Sequence, residues 1–162
     1  MGRVDRATAV AVTLLAITSI YFVIDNYVPL YPWNNLAEAG PQLASTLSMV
    51  IPYTVTAVVL LARWRWPAVF MAGYCWVLLA LQIATWYPPY LFGTSADWYH
   101  AHGYDKTIKL LPRVDNHVVV VDAQHNVLQV LTLATAIAVT IATARLWRGH
   151  PPRWPVGWPP RP

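Results

Sequence analysis

The stretch Val121–Leu146, VDAQHNVLQVLTLATAIAVTIATARL, decides the fold. From Val127 onward it is apolar over the roughly 20 residues that a helix needs to cross about 30 Å of hydrocarbon. Asp122, Gln124, His125 and Asn126 stand at its entrance, and Gln129 follows within it. At helical spacing Asp122, His125, Asn126 and Gln129 share one arc of about 100°, which continues through Thr132, Ala136, Thr140 and Thr143. The spacing therefore predicts a membrane helix over about 124–146, with a polar, small-residue seam facing other helices. Val127, Leu131, Ala134, Ala138 and Ile141 would face lipid, and Gln124, off the arc, would reach the interface.

The rest of the chain repeats the pattern. Apolar runs at about 7–24, 43–62 and 67–87 are of similar length, and the chain is 57% hydrophobic and 11% charged, with a mean hydropathy of +0.40. An average soluble domain is roughly 45 to 50% apolar and about 25% charged. The 162 residues leave no room for a separate soluble domain. The fold class expected is an all-α, polytopic integral membrane protein: an antiparallel four-helix transmembrane bundle at 1–148, then a Pro/Trp/Arg-rich tail at 149–162. The first run follows a basic start and so resembles a signal peptide. Bulky Tyr21, Phe22, Val23 and Ile24 replace a small-residue cleavage pattern, and an uncleaved anchor is expected.

Charge sets the expected topology. Arg3, Arg6, Arg63, Arg65, Arg145, Arg148, Arg153 and Arg161 lie at one end of the spans, and Lys106, Lys109 and Arg113 at the other. Positive residues are retained on the cytoplasmic side, which places both termini there, in the plasma membrane, and agrees with an even number of spans. The net charge of +4 is spread by this topology rather than gathered in a stripe, so nucleic acid is not an expected partner. A lone Cys75 excludes an internal disulfide and any CxxC motif.

The segments between the spans differ in kind. The RWRW link is so short that the second and third spans must form a hairpin, with Pro67 in the first turn of the latter and Pro52 bending the former. The outer loop from Pro88 to Val121 is long, and its Trp98, Tyr99, Tyr104, Ile108, Leu110 and Leu111 argue for order. Lys106 and Lys109 are expected on a short amphipathic helix with Ile108 and Leu111. The tail is expected to be extended, with Trp154 and Trp158 at the membrane interface.

All four spans bring polar groups to the outer half: Thr18, Tyr21, Asp25 and Asn26 on the first, Ser45 and Ser48, on one face with Pro52 and Thr56, on the second, Gln82 and Thr85 on the third. An unpaired polar group facing lipid costs several kcal/mol, so these should face one another or a cavity. Intramembrane ionisable residues point to function. Asp25, Asp122 and His125 are the candidate catalytic groups, and Tyr21, Asn26, Gln82, Trp86, Trp98, Asn126 and Gln129 the candidate substrate-binding groups. The function expected is binding of an apolar isoprenoid-like or lipid molecule, with acid/base chemistry of the isomerisation, cyclisation or hydration type. The alternative is a non-catalytic accessory or assembly subunit packed on a larger membrane protein. No cofactor is expected, and His100, His102 and His117 lack a specific metal spacing. Walker, GxGxxG, GxSxG and HExxH motifs are absent from the sequence, leaving nucleotide-driven transport and the common hydrolase chemistries without support.

Overall fold

A computed structural model describes residues 4–40, 42–93, 97–114 and 116–148. The tail at 149–162, with its expected extended form, lies outside the described residues. Helices α1 (Arg6–Tyr27), α3 (Leu43–Leu61), α4 (Arg65–Phe92) and α6 (Ala123–Arg148) are each long and apolar enough to cross a membrane. Two short helices, α2 (Leu36–Ala39) and α5 (Asp97–Ala101), and a 3-10 turn at Tyr104–Lys106 lie between them. Among the described residues there is no strand, only an isolated antiparallel bridge between Lys109 and Asp122.

The helix ends follow local chemistry. Asp5 caps α1, accepting the N–H groups of Ala7 and Thr8 at 3.0 and 3.2 Å and the Thr8 hydroxyl at 2.8 Å. These bonds, the Thr8 hydroxyl foremost, hold its carboxyl below the usual range. The third span does not end at Tyr87, the expected end of the apolar run. It continues through Pro88 and Pro89 because the next turn is anchored: Tyr90 is buried and its hydroxyl donates to the Pro112 carbonyl at 2.9 Å. Gly93 then stops the helix in the left-handed region, at φ 67°, where a Cβ would come within 2.6 Å of the His117 ring. In α3, Pro52 lacks the N–H that would bond the Ser48 carbonyl. The Tyr74 hydroxyl of α4 donates to that carbonyl instead.

α6 packs on α1 and α4, and α3 joins α1 and α4 on the other side, the α3–α4 pair touching least. At the end that carries Arg6, Arg63 and Arg148, here the terminal end, small residues bring the helices close. Ala11, Ala68, Cys75, Ala136, Val139 and Ala142 are fully buried there, together with Leu15, Leu60 and Leu146. Crossing contacts fix the register. Thr143 donates to the Ala68 carbonyl at 3.4 Å, the Tyr87 hydroxyl to Asn126 Oδ1 at 3.3 Å, and Thr18 and Thr135 share a buried hydrogen bond of 2.9 Å.

Two expected helix faces are rotated. On α6 the exposed stripe is Val130, Leu133, Ile137, Thr140 and Ile141, whereas Ala138 is buried. Thr140 leaves the inward seam because it accepts the Trp76 indole N–H at 3.0 Å on the outer surface. Gln124, expected at the interface, is buried, since α1 approaches closely enough for the Tyr21 hydroxyl to donate to its carbonyl at 2.8 Å. On α3 the buried face is Thr46, Met49, Tyr53 and Thr56, with Ser45 and Ser48 exposed.

At the opposite end, the loop end, the two connections knit together. Lys106 donates to Glu38 at 2.6 Å, Asn35 to the Gly103 carbonyl at 3.4 Å, and the Ile108 N–H to the Pro32 carbonyl at 3.0 Å. Gly103, at φ 67°, lies so close to Asn35 that a Cβ would meet its side chain at 2.4 Å. The amphipathic helix expected around Lys106 and Lys109 does not form. The chain is extended after Lys106 so that Lys109 can bridge Asp122, with Ala123 N–H donating to the Ile108 carbonyl at 2.8 Å. Beneath, Trp86, Tyr90, Tyr99, Val119, Val120 and Val121 make a second, aromatic core.

Candidate functional site

Asp122 organises the loop end. It is fully buried, and as the residue before α6 its Oδ1 caps that helix by accepting the His125 N–H at 3.0 Å. The same oxygen lies 2.6 Å from His125 Nδ1. Oδ2 accepts the Thr107 hydroxyl at 3.1 Å and the Gln124 amide at 3.3 Å. With Nδ1 donating to that oxygen, Nε2 is the ring nitrogen left to accept a proton. Fixing the tautomer through Nδ1 is how a carboxylate prepares a histidine for acid–base work.

The imidazole is held on its faces as well as by its nitrogen. The Trp86 ring lies 4.0 Å from it, tilted by 39°, and Tyr104 meets it edge-on at 5.1 Å. Trp98 and Tyr104 each pack edge-on against Trp86, at 5.1 Å. The long loop thus sets an aromatic roof over His125. Burial pushes the hydroxyls of Tyr99 and Tyr104 up to about 12, so both remain neutral donors. The Tyr99 hydroxyl donates to the Val120 carbonyl at 3.1 Å.

Lys109 stands behind this unit. Its ammonium donates to the Tyr104 carbonyl and, at 2.9 Å, to the Thr107 hydroxyl, and it lies 5.2 Å from the Tyr99 ring centre. Burial draws its pKa below the ordinary lysine range, against the pull of Asp122 and Asp105. Thr107 accepts from Lys109, and its single hydroxyl hydrogen is shared between the Tyr104 carbonyl at 2.8 Å and Asp122 Oδ2 at 3.1 Å, which links the ammonium, the loop backbone and the buried carboxylate.

His125 lines a cavity of about 220 Å³ bounded by Phe22 of α1, Ser45, Ser48 and Met49 of α3, Gln82, Thr85 and Trp86 of α4, and Leu128 of α6. Gln82 Oε1 is buried there without a hydrogen-bond partner. Ser45, Ser48 and Thr85 are exposed, so the cavity reaches the surface of the bundle between α3 and α4, the loosest of its four neighbouring pairs. Leu78 and Leu81 form its apolar side.

The other sequence candidates divide. Asp25 is buried and close enough to His125 and Asp122 for their charges to act on it, and its Oδ1 has no hydrogen-bond partner. It is not among the cavity-lining residues. Tyr21 is committed to α6, and Asn26 donates to Thr46 at 3.2 Å, joining α1 to α3. Trp98 belongs to the aromatic roof. Asn126 and Gln129 face a separate groove of about 340 Å³ with Leu79, Ile83, Tyr87, Val130 and Leu133, on the other side of α4. Both side-chain ends of Gln129 are buried and unpartnered.

Thr107, Lys109, Tyr104 and Gln124 complete the site and were not singled out in the sequence for this role. Thr107 and Lys109 reach it through the Lys109–Asp122 bridge, and no local spacing announces that pairing. Loop histidines are each engaged separately: His100 with Asp105 at 3.4 Å, His102 with the Trp98 carbonyl at 2.7 Å, His117 with the Tyr90 carbonyl at 2.9 Å. Among the described residues no three His, Cys, Asp or Glu side chains cluster as metal ligands. No protein-family model, curated protein or solved structure matches the chain.

Proposed function

We propose that the chain is an antiparallel four-helix membrane bundle that binds an apolar, isoprenoid-like or lipid molecule at the loop end and acts on it by acid–base chemistry. The observation that carries this reading is the Asp122–His125 pair at 2.6 Å, fixed under an aromatic roof and lining a cavity beside an unpartnered Gln82 carbonyl. A structural hydrogen-bonded plug would use up its polar atoms. Here the described residues leave Gln82 Oε1 unsatisfied, which costs about 1 to 3 kcal/mol unless something bonds to it.

The crossing contacts support the antiparallel order: numbers fall on α6 as they rise on α4, from Thr143 at Ala68 to Asn126 at Tyr87. The arginines of the terminal end support termini in the cytoplasm and a plasma-membrane location, with the loop end outside and 149–162 as a cytoplasmic tail.

Cavity size and position define the substrate class. A space of about 220 Å³ is smaller than the roughly 300 to 1,000 Å³ of ordinary ligand pockets. It takes one end of a molecule whose apolar remainder leaves between α3 and α4 into lipid. Gln82 orients a donor on that end, such as a hydroxyl, and His125 Nε2 removes or returns a proton. Asp122 stabilises the imidazolium that forms, and Trp86 offers its face to positive charge developing on the substrate. Isomerisation of an alkene uses removal and return of a proton; cyclisation and hydration begin with the return step, from the imidazolium, and end with removal, hydration also adding a water.

The test is photocrosslinking with a diazirine-bearing polyprenol, together with lipid profiling of membranes that express the wild type or variants. His125→Ala and Gln82→Leu should lose crosslinking and the product while keeping helix content and an unfolding midpoint within a few degrees of wild type. Crosslinking that survives both substitutions, or variants that simply unfold, would sink the proposal and leave the polar cluster a packing device.

A further inference from the structure

A third concavity lies at the opposite end of the bundle, between α1 and α6. Its volume is about 590 Å³, larger than either space near His125, and the small side chains of Ala7, Ala134 and Ala138 line it together with larger apolar ones such as Leu14, Ile137 and Ile141. Arg6 and Arg145 flank it at the end of both helices. Two long helices here leave an apolar trench with a pair of guanidinium groups at its mouth.

Charge arithmetic identifies what the trench takes. The sequence has seven acids, and Asp5 alone lies at the terminal end. Its carboxylate is committed to capping α1 through Ala7 and Thr8, and the cation acting on it is Arg63. No ion pair of Arg6 or Arg145 occurs among the described residues. The 149–162 segment adds Arg153 and Arg161 and no Asp or Glu, so its side chains bring like charge. Beyond Asp5 the sequence places no acid at this end to supply countercharge for the two guanidinium groups, which stand beside an apolar trench between two membrane-length helices.

We infer that the α1–α6 trench is a binding site for an anionic phospholipid, its phosphate bridged by Arg6 and Arg145 and one acyl chain lying over Ala134 and Ala138. Guanidinium groups form paired, charge-assisted hydrogen bonds with phosphate oxygens. Basic pockets between membrane helices bind acidic headgroups, with each basic residue near the surface contributing about fivefold in affinity. The alanines make room for the chain where larger residues would fill the trench. This site is independent of the His125 cavity, and neither reading needs the other.

Native mass spectrometry of the full chain, titrated with phosphatidylglycerol and with phosphatidylcholine of the same acyl chains, tests the site. Phosphatidylglycerol is expected to bind more tightly, losing about 5-fold in affinity in Arg6→Gln or Arg145→Gln and about 30-fold in the double variant. Arg63→Gln removes the same charge from the same end but not from the trench and should change binding less than twofold. Ala134→Leu, which fills the trench and keeps both arginines, should weaken binding at least as much as one arginine substitution. Equal binding of the two lipids, an Arg63→Gln loss matching that of Arg145→Gln, or unchanged binding in Ala134→Leu would each overturn the inference. Circular dichroism of each variant separates a lost site from a lost fold, and if the double variant unfolds, Ala134→Leu and the lipid comparison still decide.

Discussion

The two ends of the bundle are held together in different ways. At the terminal end the helices meet through Ala11, Ala68, Ala136 and Ala142, with buried leucines filling the remaining space. At the loop end the same helices are joined by side-chain hydrogen bonds, such as Tyr21 to the Gln124 carbonyl and Asn26 to Thr46, and roofed by two interlocked loops. Among the described residues, unpartnered buried polar atoms gather in the second region and towards the middle: Asp25 Oδ1, Gln82 Oε1, Gln124 Oε1 and both ends of Gln129, with the Tyr53 and Thr132 hydroxyls near mid-span. Small-residue packing brings helices together without leaving binding groups idle, whereas a polar interior is costly and is the natural place for chemistry. The difference teaches where rigidity and where reactivity reside in a chain this short.

The largest effect should come from Asp122→Ala. It removes the cap of α6, the partner of His125 and the acceptor of Thr107 at once, leaving Lys109 behind it without its nearest counterion. Breaking a buried charge network by deleting one partner costs about 3 kcal/mol or more. The loss should be confined to the loop end: limited proteolysis within 93–121 should accelerate strongly while cleavage at the 62–64 link changes little. Uniform acceleration at both sites would erase the contrast between the ends. A converse substitution, Ala142→Leu, overpacks the terminal end, where Ala142 is fully buried. It should lower global stability by about 2 kcal/mol, read as a fall in the thermal midpoint, and leave loop cleavage below the midpoint unchanged.

Tyr74 offers a smaller test near the middle. Its hydroxyl satisfies the Ser48 carbonyl that Pro52 leaves open, so Tyr74→Phe should cost about 0.6 kcal/mol, the usual scale of a hydrogen bond between membrane helices. In a Pro52→Ala background the helix supplies its own donor, and the same substitution should cost almost nothing. A double-mutant cycle in detergent measures this, and a cost that persists in the Pro52→Ala chain contradicts the account.

Hydropathy made the four spans legible because each buries or exposes a near-continuous apolar run, whatever its neighbours do. It also drew attention to His125, Asp122 and Gln82, since polar residues beside such runs are conspicuous. Helix rotation was less legible. The arc through Asp122, His125, Asn126 and Gln129 is real, yet His125 lines the cavity towards α3 while Asn126 and Gln129 face the groove on the other side of α4. Which part of a polar arc meets which neighbour depends on packing, and α6 packs on two helices at once. The extension of α4 through Pro88 and Pro89 was hidden for a related reason: the anchor that holds it, Pro112, comes from the far side of the loop. Lys109 was legible as a charge but not as a buried one, because its burial follows from the bridge to Asp122 thirteen residues later.

That burial supplies the smallest and most specific test. Desolvation holds the folded-state pKa of Lys109 below its ordinary value of 10.5, so between those two values the unfolded chain binds more protons than the folded one. Stability contributed at the loop end therefore rises with pH across that window, as the folded state sheds a proton it holds at a cost. Tyr99 and Tyr104 act in the opposite sense. Burial raises both from 10.0 to about 12, so above pH 10 the unfolded chain loses its phenolic protons first and stability falls through 12. The midpoint of thermal unfolding, followed by circular dichroism, should climb slightly towards pH 10 and decline beyond it. Lys109→Met should abolish the climb and keep the decline, since the tyrosines remain. Parallel curves for the two chains would mean that Lys109 is solvated rather than buried, and its place behind Asp122 would go with it.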